Sequence, residues 1–200
     1  LEIAIEDHVA TVTLARTDSM NALSLSFTAE IAKAFRELGA NDEVRAIVLA
    51  SKATAFCAGL DLKEFAAIGM KGTAKSSLEF PEKLRALFES CDGIEACPKP
   101  VIAAVNGMCI GGGLDIVSAC DIRLCTEDAS FSLREAAIGL VADMGVLQRL
   151  PHVIGQGFTR EMAFTARFYK AKEAERMGLV NAVFPDQPAM MEGARNLARQ

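Results

Sequence analysis

Apolar and polar positions change period along the chain in a way that predicts strand, helix and strand in turn. Glu2–Glu6 and Val9–Ala15 alternate or run β-branched on either side of Glu6-Asp7-His8, which predicts an N-terminal hairpin. Ser24 stands as an N-cap ahead of Phe27, Ile31, Phe35 and Leu38, an apolar face at helical spacing. A turn-rich break over Gly39–Glu43 precedes Ala46–Ala50, a short apolar run of strand character. A helical pattern from Ser76 to Ala96 is stopped by Pro98 and Pro100, which force extended backbone. Val101–Val105 reads as a buried strand ended by Asn106-Gly107, and Ile122–Cys125 and Ser130–Leu133 as two more short strands. From Met144 to Gln200 the pattern is largely helical, with a strand at Val180–Phe184 stopped by Pro185. Connections are short and no segment resembles a linker. The expectation is one α/β domain over residues 1–200, without a choice between a doubly wound sheet and another α/β architecture.

Composition narrows the function classes. At 51% hydrophobic and 24% charged residues the chain is a globular sequence, not a disordered or low-complexity one. Lys+Arg 21 against Asp+Glu 26 leaves a net charge of −5, which argues against a broad basic face for nucleic acid or anionic lipid. The stretch Pro100–Leu114 is too short to span a bilayer and contains Asn106 and four glycines. Glu2, Glu6 and Asp7 interrupt any signal-like apolar run at the start. The six cysteines, Cys57, Cys91, Cys97, Cys109, Cys120 and Cys125, form no C-x-x-C pair, and only His8 and His152 accompany them. Reduced core thiols are expected, and no metal site.

The sharpest local feature is Cys109-Ile110-Gly111-Gly112-Gly113-Leu114-Asp115, a side-chain-free turn leading into the apolar stretch Leu114–Cys120. Backbone N–H groups at such a helix start are unpaired and can hold an anion or an oxyanion; tight strand–helix packing is the alternative. The spacing is not that of a dinucleotide fingerprint, and no Walker lysine follows. Phe56-Cys57-Ala58-Gly59-Leu60-Asp61-Leu62-Lys63 is a second glycine turn, by itself an ordinary loop into a helix. Three carboxylates stand out by their surroundings. Asp115 is the one charge within Ile110–Cys120, and Glu135 and Asp143 flank seven residues without a polar side chain. Desolvation there raises a carboxyl toward the range useful for proton transfer, although Arg134 adjoins Glu135 and weakens its case unless a strand-like backbone turns it away. Solvated loop acids or helix N-terminal charges are the competing reading, and Asp115 in the first turn of a helix would be favourable on that ground alone. There is no G-x-S-x-G elbow, and His152 in Leu150-Pro151-His152-Val153 reads as a packed or surface histidine.

In order along nearly the whole chain, these segments resemble the crotonase, or enoyl-CoA hydratase/isomerase, superfamily. The likeness is carried by Thr13-Leu14, Asn21-Ala22-Leu23-Ser24, Ala55–Lys63 and Pro98-Lys99-Pro100-Val101-Ile102-Ala103-Ala104-Val105-Asn106-Gly107. It continues through Gly111-Gly112-Gly113, Cys120-Asp121-Ile122-Arg123 and Leu147-Gln148-Arg149-Leu150-Pro151. The resemblance implies a spiral of ββα turns and a bent acyl-coenzyme A. It implies substrate contacts from Ala58, Gly59, Leu60, Asp61, Leu62, Lys63 and Gly112, and an oxyanion hole from the backbone N–H groups of Leu60 and Gly112. It implies a homotrimer or hexamer and no metal or separate cofactor, coenzyme A being part of the substrate. Superfamily members usually continue into C-terminal helices, a segment that these 200 residues do not include.

Hydratase-like members carry a Glu pair at the positions of Asp115 and Glu135 and no acid at that of Asp143. The run Gly111–Asp115 with Glu135 and Asp143, together with Ser118–Arg123 and Gly139–Gly145, looks like the dienoyl-CoA isomerases of the superfamily instead. That likeness implies isomerisation of 3,5-dienoyl-CoA to 2,4-dienoyl-CoA in breakdown of unsaturated fatty acids. Glu135 and Asp143 would exchange the protons, and Asp115 would orient or tune them. The alternatives are an enoyl-CoA hydratase on the same fold and, from another class, a non-catalytic acyl-CoA- or RNA-binding relative. The expected compartment is the cytoplasm in a bacterium, and the mitochondrion or peroxisome in a eukaryote.

Overall fold

The N-terminal alternation folds as an antiparallel hairpin of β1 (Glu2–Glu6) and β2 (Val9–Leu14), turned at Asp7 and His8, both at positive φ. The computed structural model describes the backbone of residues 1–68 and 74–200 and the side chains of 1–66, 84–85 and 87–200. Ser24 caps α1 (Leu25–Ala40), its hydroxyl accepting from the Phe27 N–H, and the expected face of Phe27, Ile31, Phe35 and Leu38 is buried. Next come β3 (Ala46–Ser51), α2 (Leu62–Ile68), α3 (Ala74–Glu95), β4 (Val101–Val105), β5 (Met108–Ile110) and α4 (Gly112–Ser118). They are followed by β6 (Ile122–Thr126), β7 (Ser130–Ser132), a 3-10 turn at Glu135–Ile138 and α5 (Val146–Thr165). The chain closes with β8 (Tyr169–Lys170), α6 (Ala171–Arg176), β9 (Ala182–Phe184) and α7 (Gln187–Ala198). The carboxy-terminal stretch is less continuous than its pattern suggests: α5 breaks at Gly155 (φ 75°, ψ 164°) and β8 interrupts the helices.

The strands sort into two sheets. One runs β1-β2-β3-β4-β6-β9, parallel from β2 onward; the other runs β5-β7-β8, with β5 parallel to β7 and β8 antiparallel to it. An isolated parallel bridge between Cys57 and Cys109 extends the second sheet back to the loop after β3. Each turn of chain therefore gives one extended segment to each sheet and then a helix: β3, Cys57 and α2; β4, β5 and α4; β6, β7 and α5. This is the expected spiral of ββα turns.

Runs such as Ala46–Ala50 and Val101–Val105 lack alternation because both faces of the first sheet are covered. Ile47, Leu49, Val101, Ala103 and Val105 face the main core with α1 and α3, while Val48, Ala50, Ile102 and Ala104 pack with Met190 and Ala194 of α7. The cysteines are free thiols, all buried except the half-buried Cys97. No helix among the described residues is long and apolar enough to cross a membrane.

Candidate active site

Two backbone turns face one another beside the second sheet. The first, after β3, is fixed by Asn21. Its Nδ2 donates to Ser51 Oγ (2.8 Å) and the Phe56 carbonyl (2.9 Å), and its Oδ1 accepts from the Arg16 N–H (2.8 Å). Asn21 is buried at φ 55°, a left-handed conformation that Asn adopts more readily than most residues. Leu23 then pairs with the turn as a strand would. Its N–H donates to the Gly59 carbonyl (2.8 Å), and its own carbonyl accepts from the Asp61 N–H (2.9 Å). Leu60 sits between those bonds with its N–H directed away from Leu23, and it donates to nothing among the described residues.

The second turn leaves β5 at Gly111 (φ 53°, ψ −125°), a conformation open to glycine. The Gly111 N–H donates to the Ser132 carbonyl (3.0 Å), which ties the turn to β7. Gly112 opens α4, where its N–H has no acceptor within the helix, and among the described residues it donates to nothing. A Cβ on Gly59 would lie 3.7 Å from the Gly112 nitrogen and 3.1 Å from the Ile110 carbonyl oxygen, so the turns are in backbone contact. A Cβ on Gly111 would stand 3.1 Å from Glu135 Oε1, so the bare α-carbon lets that carboxylate close on the turn.

Ala58, Gly59, Leu60, Leu62, Gly112 and Glu135 line a cavity of about 160 Å³ at this junction. A second, apolar cavity of about 280 Å³ lies on the other side of Glu135, walled by Leu140, Val141, Leu147 and Phe164 among others. Of the sequence-derived substrate contacts, Asp61 and Lys63 fall outside both linings. Asp61 lies 3.7 Å from Arg16 Nη2 and accepts from the Glu64 N–H (3.3 Å), while Lys63 is exposed on α2.

The three singled-out carboxylates gather around Glu135. Asp115 on α4 is 1% exposed, and its Oδ1 accepts from the Val146 N–H at 2.8 Å, bracing the start of α5. Burial, reinforced by the charges of Glu135 and Asp143 and opposed by the Val146 bond, pushes its carboxyl up to about 7. Glu135 has a buried Oε2 with no partner among the described residues, and its carboxyl is raised by burial and then by Asp143. Asp143 is exposed and lines neither cavity, yet partial burial raises its carboxyl too. Arg134 does not neutralise Glu135. Its Nη1 donates to the Ala166 carbonyl (2.7 Å) and its guanidinium lies 5.2 Å from the Phe168 ring centroid. Arg134 lines the same cavity as Glu135, on a helical backbone and not the strand-like one considered from sequence, but its hydrogen bond goes to Ala166. His152 is exposed, as a surface histidine would be.

Two participants escaped the sequence reading. Asn21 acts through a left-handed turn between distant loops, and Val146 acts through its backbone N–H. A lone buried-looking Asn before an apolar helix start was the available hint for the first; nothing in side-chain identity marks the second.

The chain matches the enoyl-CoA hydratase/isomerase family model over residues 4–200. It is 40% identical over 188 residues to the peroxisomal Delta(3,5)-Delta(2,4)-dienoyl-CoA isomerase of Arabidopsis thaliana, covering 92% of this chain and 68% of that protein. With the mitochondrial Delta(3,5)-Delta(2,4)-dienoyl-CoA isomerase of Homo sapiens it shares 44% over 200 residues, covering 98% of this chain and 61% of that one. The chain thus spans 61% to 68% of the length of these two relatives. The crystal structure of an enoyl-CoA hydratase from Bacillus anthracis aligns with a TM-score of 0.87 at 32% identity, over 98% of this chain and 74% of that one.

Proposed function

The chain belongs to the enoyl-CoA hydratase/isomerase family, and from that premise we propose that it isomerises 3,5-dienoyl-CoA to 2,4-dienoyl-CoA in fatty-acid oxidation. The observation that carries this reading is the buried Oε2 of Glu135, without a partner among the described residues, on a cavity whose lining also holds Leu60 and Gly112, with Asp115 and Asp143 close enough to raise or be raised with it. The relatives from Arabidopsis and human, named dienoyl-CoA isomerases, support it.

The thioester oxygen accepts from the Leu60 and Gly112 N–H groups. One carboxylate of the pair Glu135 and Asp143 takes the proton from C2, and the C–H electron pair spreads through the diene onto that oxygen as a dienolate. The other, protonated, member gives its proton to C6, and the electrons return from oxygen to leave double bonds at C2 and C4. The two acids end with their protons exchanged and reset through solvent. One member must be ionised and the other protonated; burial raises both carboxyls, and Asp143 further raises that of Glu135, which favours one proton held between them. Each oxyanion donor is worth roughly 10²–10³ in rate, so backbone and acids share the acceleration. Asp115 holds the start of α5, and its own carboxyl is raised by the charges of Glu135 and Asp143.

Proton transfer of this kind needs no cofactor beyond the coenzyme A of the substrate. The reading includes a homotrimer or hexamer, supported by the exposure of the apolar Val141 (75%) and Phe164 (80%) beside the site. It places the chain in mitochondrion or peroxisome in a eukaryote, as the names of those relatives suggest, and in the cytoplasm in a bacterium.

The test is a spectral assay of one preparation with a 3,5-dienoyl-CoA beside a 2-enoyl-CoA. Appearance of the conjugated 2,4-dienoyl chromophore, faster than loss of the 2-enoyl absorbance, is expected. Hydration alone would favour the enoyl-CoA hydratase reading, to which the Bacillus anthracis likeness points. Binding of acyl-CoA without turnover of either substrate would favour a non-catalytic relative.

A further inference from the structure

The segment from Asp143 to Val146 is gripped from two sides. From α4, Asp115 accepts the Val146 N–H. From α5, Arg149 folds back so that its Nη1 donates to the Met144 carbonyl at 2.9 Å. The guanidinium lies directly over Gly145, where a Cβ would come within 2.1 Å of Nη1 and 2.8 Å of Cζ. Gly145 also stands at φ 102°, so this close passage and the turn both require glycine. On its outer side the guanidinium meets α3. Nε and Nη2 donate to Glu95 Oε2 (3.0 and 2.8 Å), and Nη2 donates to Asp92 Oδ1 (3.1 Å).

Burial is uneven across this cluster. The Arg149 side chain is 10% exposed, whereas those of Asp92 and Glu95 are 67% and 58% exposed. Exposed acids of that kind add little stability by themselves. Their geometric effect is to occupy the outer donors of the fork and leave Nη1 aimed inward at the Met144 carbonyl.

We propose that Arg149 is a positioning residue for the acid cluster: by holding the Met144 carbonyl it fixes the 143–146 backbone, and with it Asp143 and the Asp115–Val146 contact. The inference rests on the proposed roles of Glu135 and Asp143. It has an electrostatic corollary. Asp115 is faced by Glu135 from the 3-10 turn, by Asp143 from the loop, by the Cys91 thiol from α3, by the Cys57 thiol from the loop after β3 and by the Cys109 thiol from β5. Arg149 is the cation that acts on it from α5 and lowers its carboxyl. Removing that cation raises the Asp115 carboxyl, and because Asp115 is coupled to Glu135 and Asp143 the titration of the cluster moves with it. A reaction that needs one ionised carboxylate then has its rising limb moved to higher pH.

The experiment compares the parent with Arg149→Gln and Arg149→Lys in kcat, KM and pH–rate profile on a 3,5-dienoyl-CoA, together with amide hydrogen exchange at Val146. Arg149→Gln is expected to lower kcat about 10–100-fold, the scale of a small misplacement of catalytic groups, with KM near the parent value. Its rising limb should move to higher pH, and the Val146 amide should exchange faster. Arg149→Lys, which restores the charge and reaches the same carbonyl, should recover part of kcat and most of the pH limb. A folded Arg149→Gln with the parent's kcat and pH limb overturns the inference, as does a Lys variant no better than Gln. If the Gln variant does not fold, Arg149→Lys decides: reduced kcat at the parent's KM supports the role, and unchanged kcat refutes it. A parent inactive on the dienoyl substrate would defeat the functional reading, not this one; Val146 exchange would still decide the positioning role, unchanged protection counting against it.

Discussion

The role proposed for Glu135 rests on three local circumstances: an Oε2 without a partner among the described residues, a bare Gly111 against its Oε1, and an arginine neighbour whose hydrogen bond goes elsewhere. Each can be tested at the scale of one residue. Glu135→Gln keeps the shape and removes the exchangeable acid, so turnover should fall by orders of magnitude while acyl-CoA binding by calorimetry stays close to the parent's. Turnover within a fewfold of the parent would take Glu135 out of the proton-transferring pair. Gly111→Ala meets both a positive φ and the carboxylate at 3.1 Å. A loss of roughly 1–3 kcal/mol in urea unfolding is expected from the backbone conformation, with a fall in kcat as Glu135 is displaced. At Gly112 the obstacle is different: a Cβ there would lie 2.8 Å from Leu23 Cδ1, pointing into packing instead of the cavity. Gly112→Val should therefore inactivate by shifting Leu23, the residue that braces Leu60.

At the scale of elements, the parts of the fold legible in the sequence are those whose burial is one-sided over a helix or complete over a strand. The face Phe27, Ile31, Phe35 and Leu38 shows a period, and β3 and β4 show unbroken apolar runs. The three-residue β5 and two-residue β8 were not legible, because partner strands and not their own composition make them extended. The glycine turns and the three acids were visible as chemistry. Their supports, Asn21, Val146 and Arg149, act on backbone groups far along the chain or through a fold-dependent turn, and side-chain identity does not reveal such contacts. The loop before α5 illustrates the difference and carries its own prediction. Asp143 stands beside the cluster and lines neither cavity, so its proposed part in proton transfer calls for a direct test. Asp143→Gly should remove dienoyl isomerisation much more severely than any residual hydration of a 2-enoyl-CoA. Both rates measured on one preparation control for misfolding, and equal losses would unseat Asp143 as the distal acid.

Across the whole molecule, the raised carboxyls of the proposed site should contribute less to the stability of the fold as pH rises. Asp115, Glu135 and Asp143 are all raised in the folded protein, with Asp115 pushed up to about 7. An unfolded Asp titrates at about 4, so between about pH 4 and pH 7 the folded state holds more protons than the unfolded one. Their contribution to stability then declines with rising pH over that window: the cost of burying the charge is absent below it and fully present above it. Asp115→Asn isolates the largest part of this effect, because an amide oxygen in the place of Oδ1 can still accept the Val146 N–H while carrying no charge. The variant should melt near or below the parent at pH 4 and above it at pH 8. For a domain of this size roughly 2–4 °C accompanies each kcal/mol, so a gain of several degrees at pH 8 is expected by calorimetry. Groups that do not act on Asp115 are common to the two proteins and cancel, while the response of Glu135 and Asp143, which titrate with it, is part of the measured difference. A variant melting at or below the parent at pH 8 would show that Asp115 is stabilising when ionised, and that its bond to Val146 outweighs its burial.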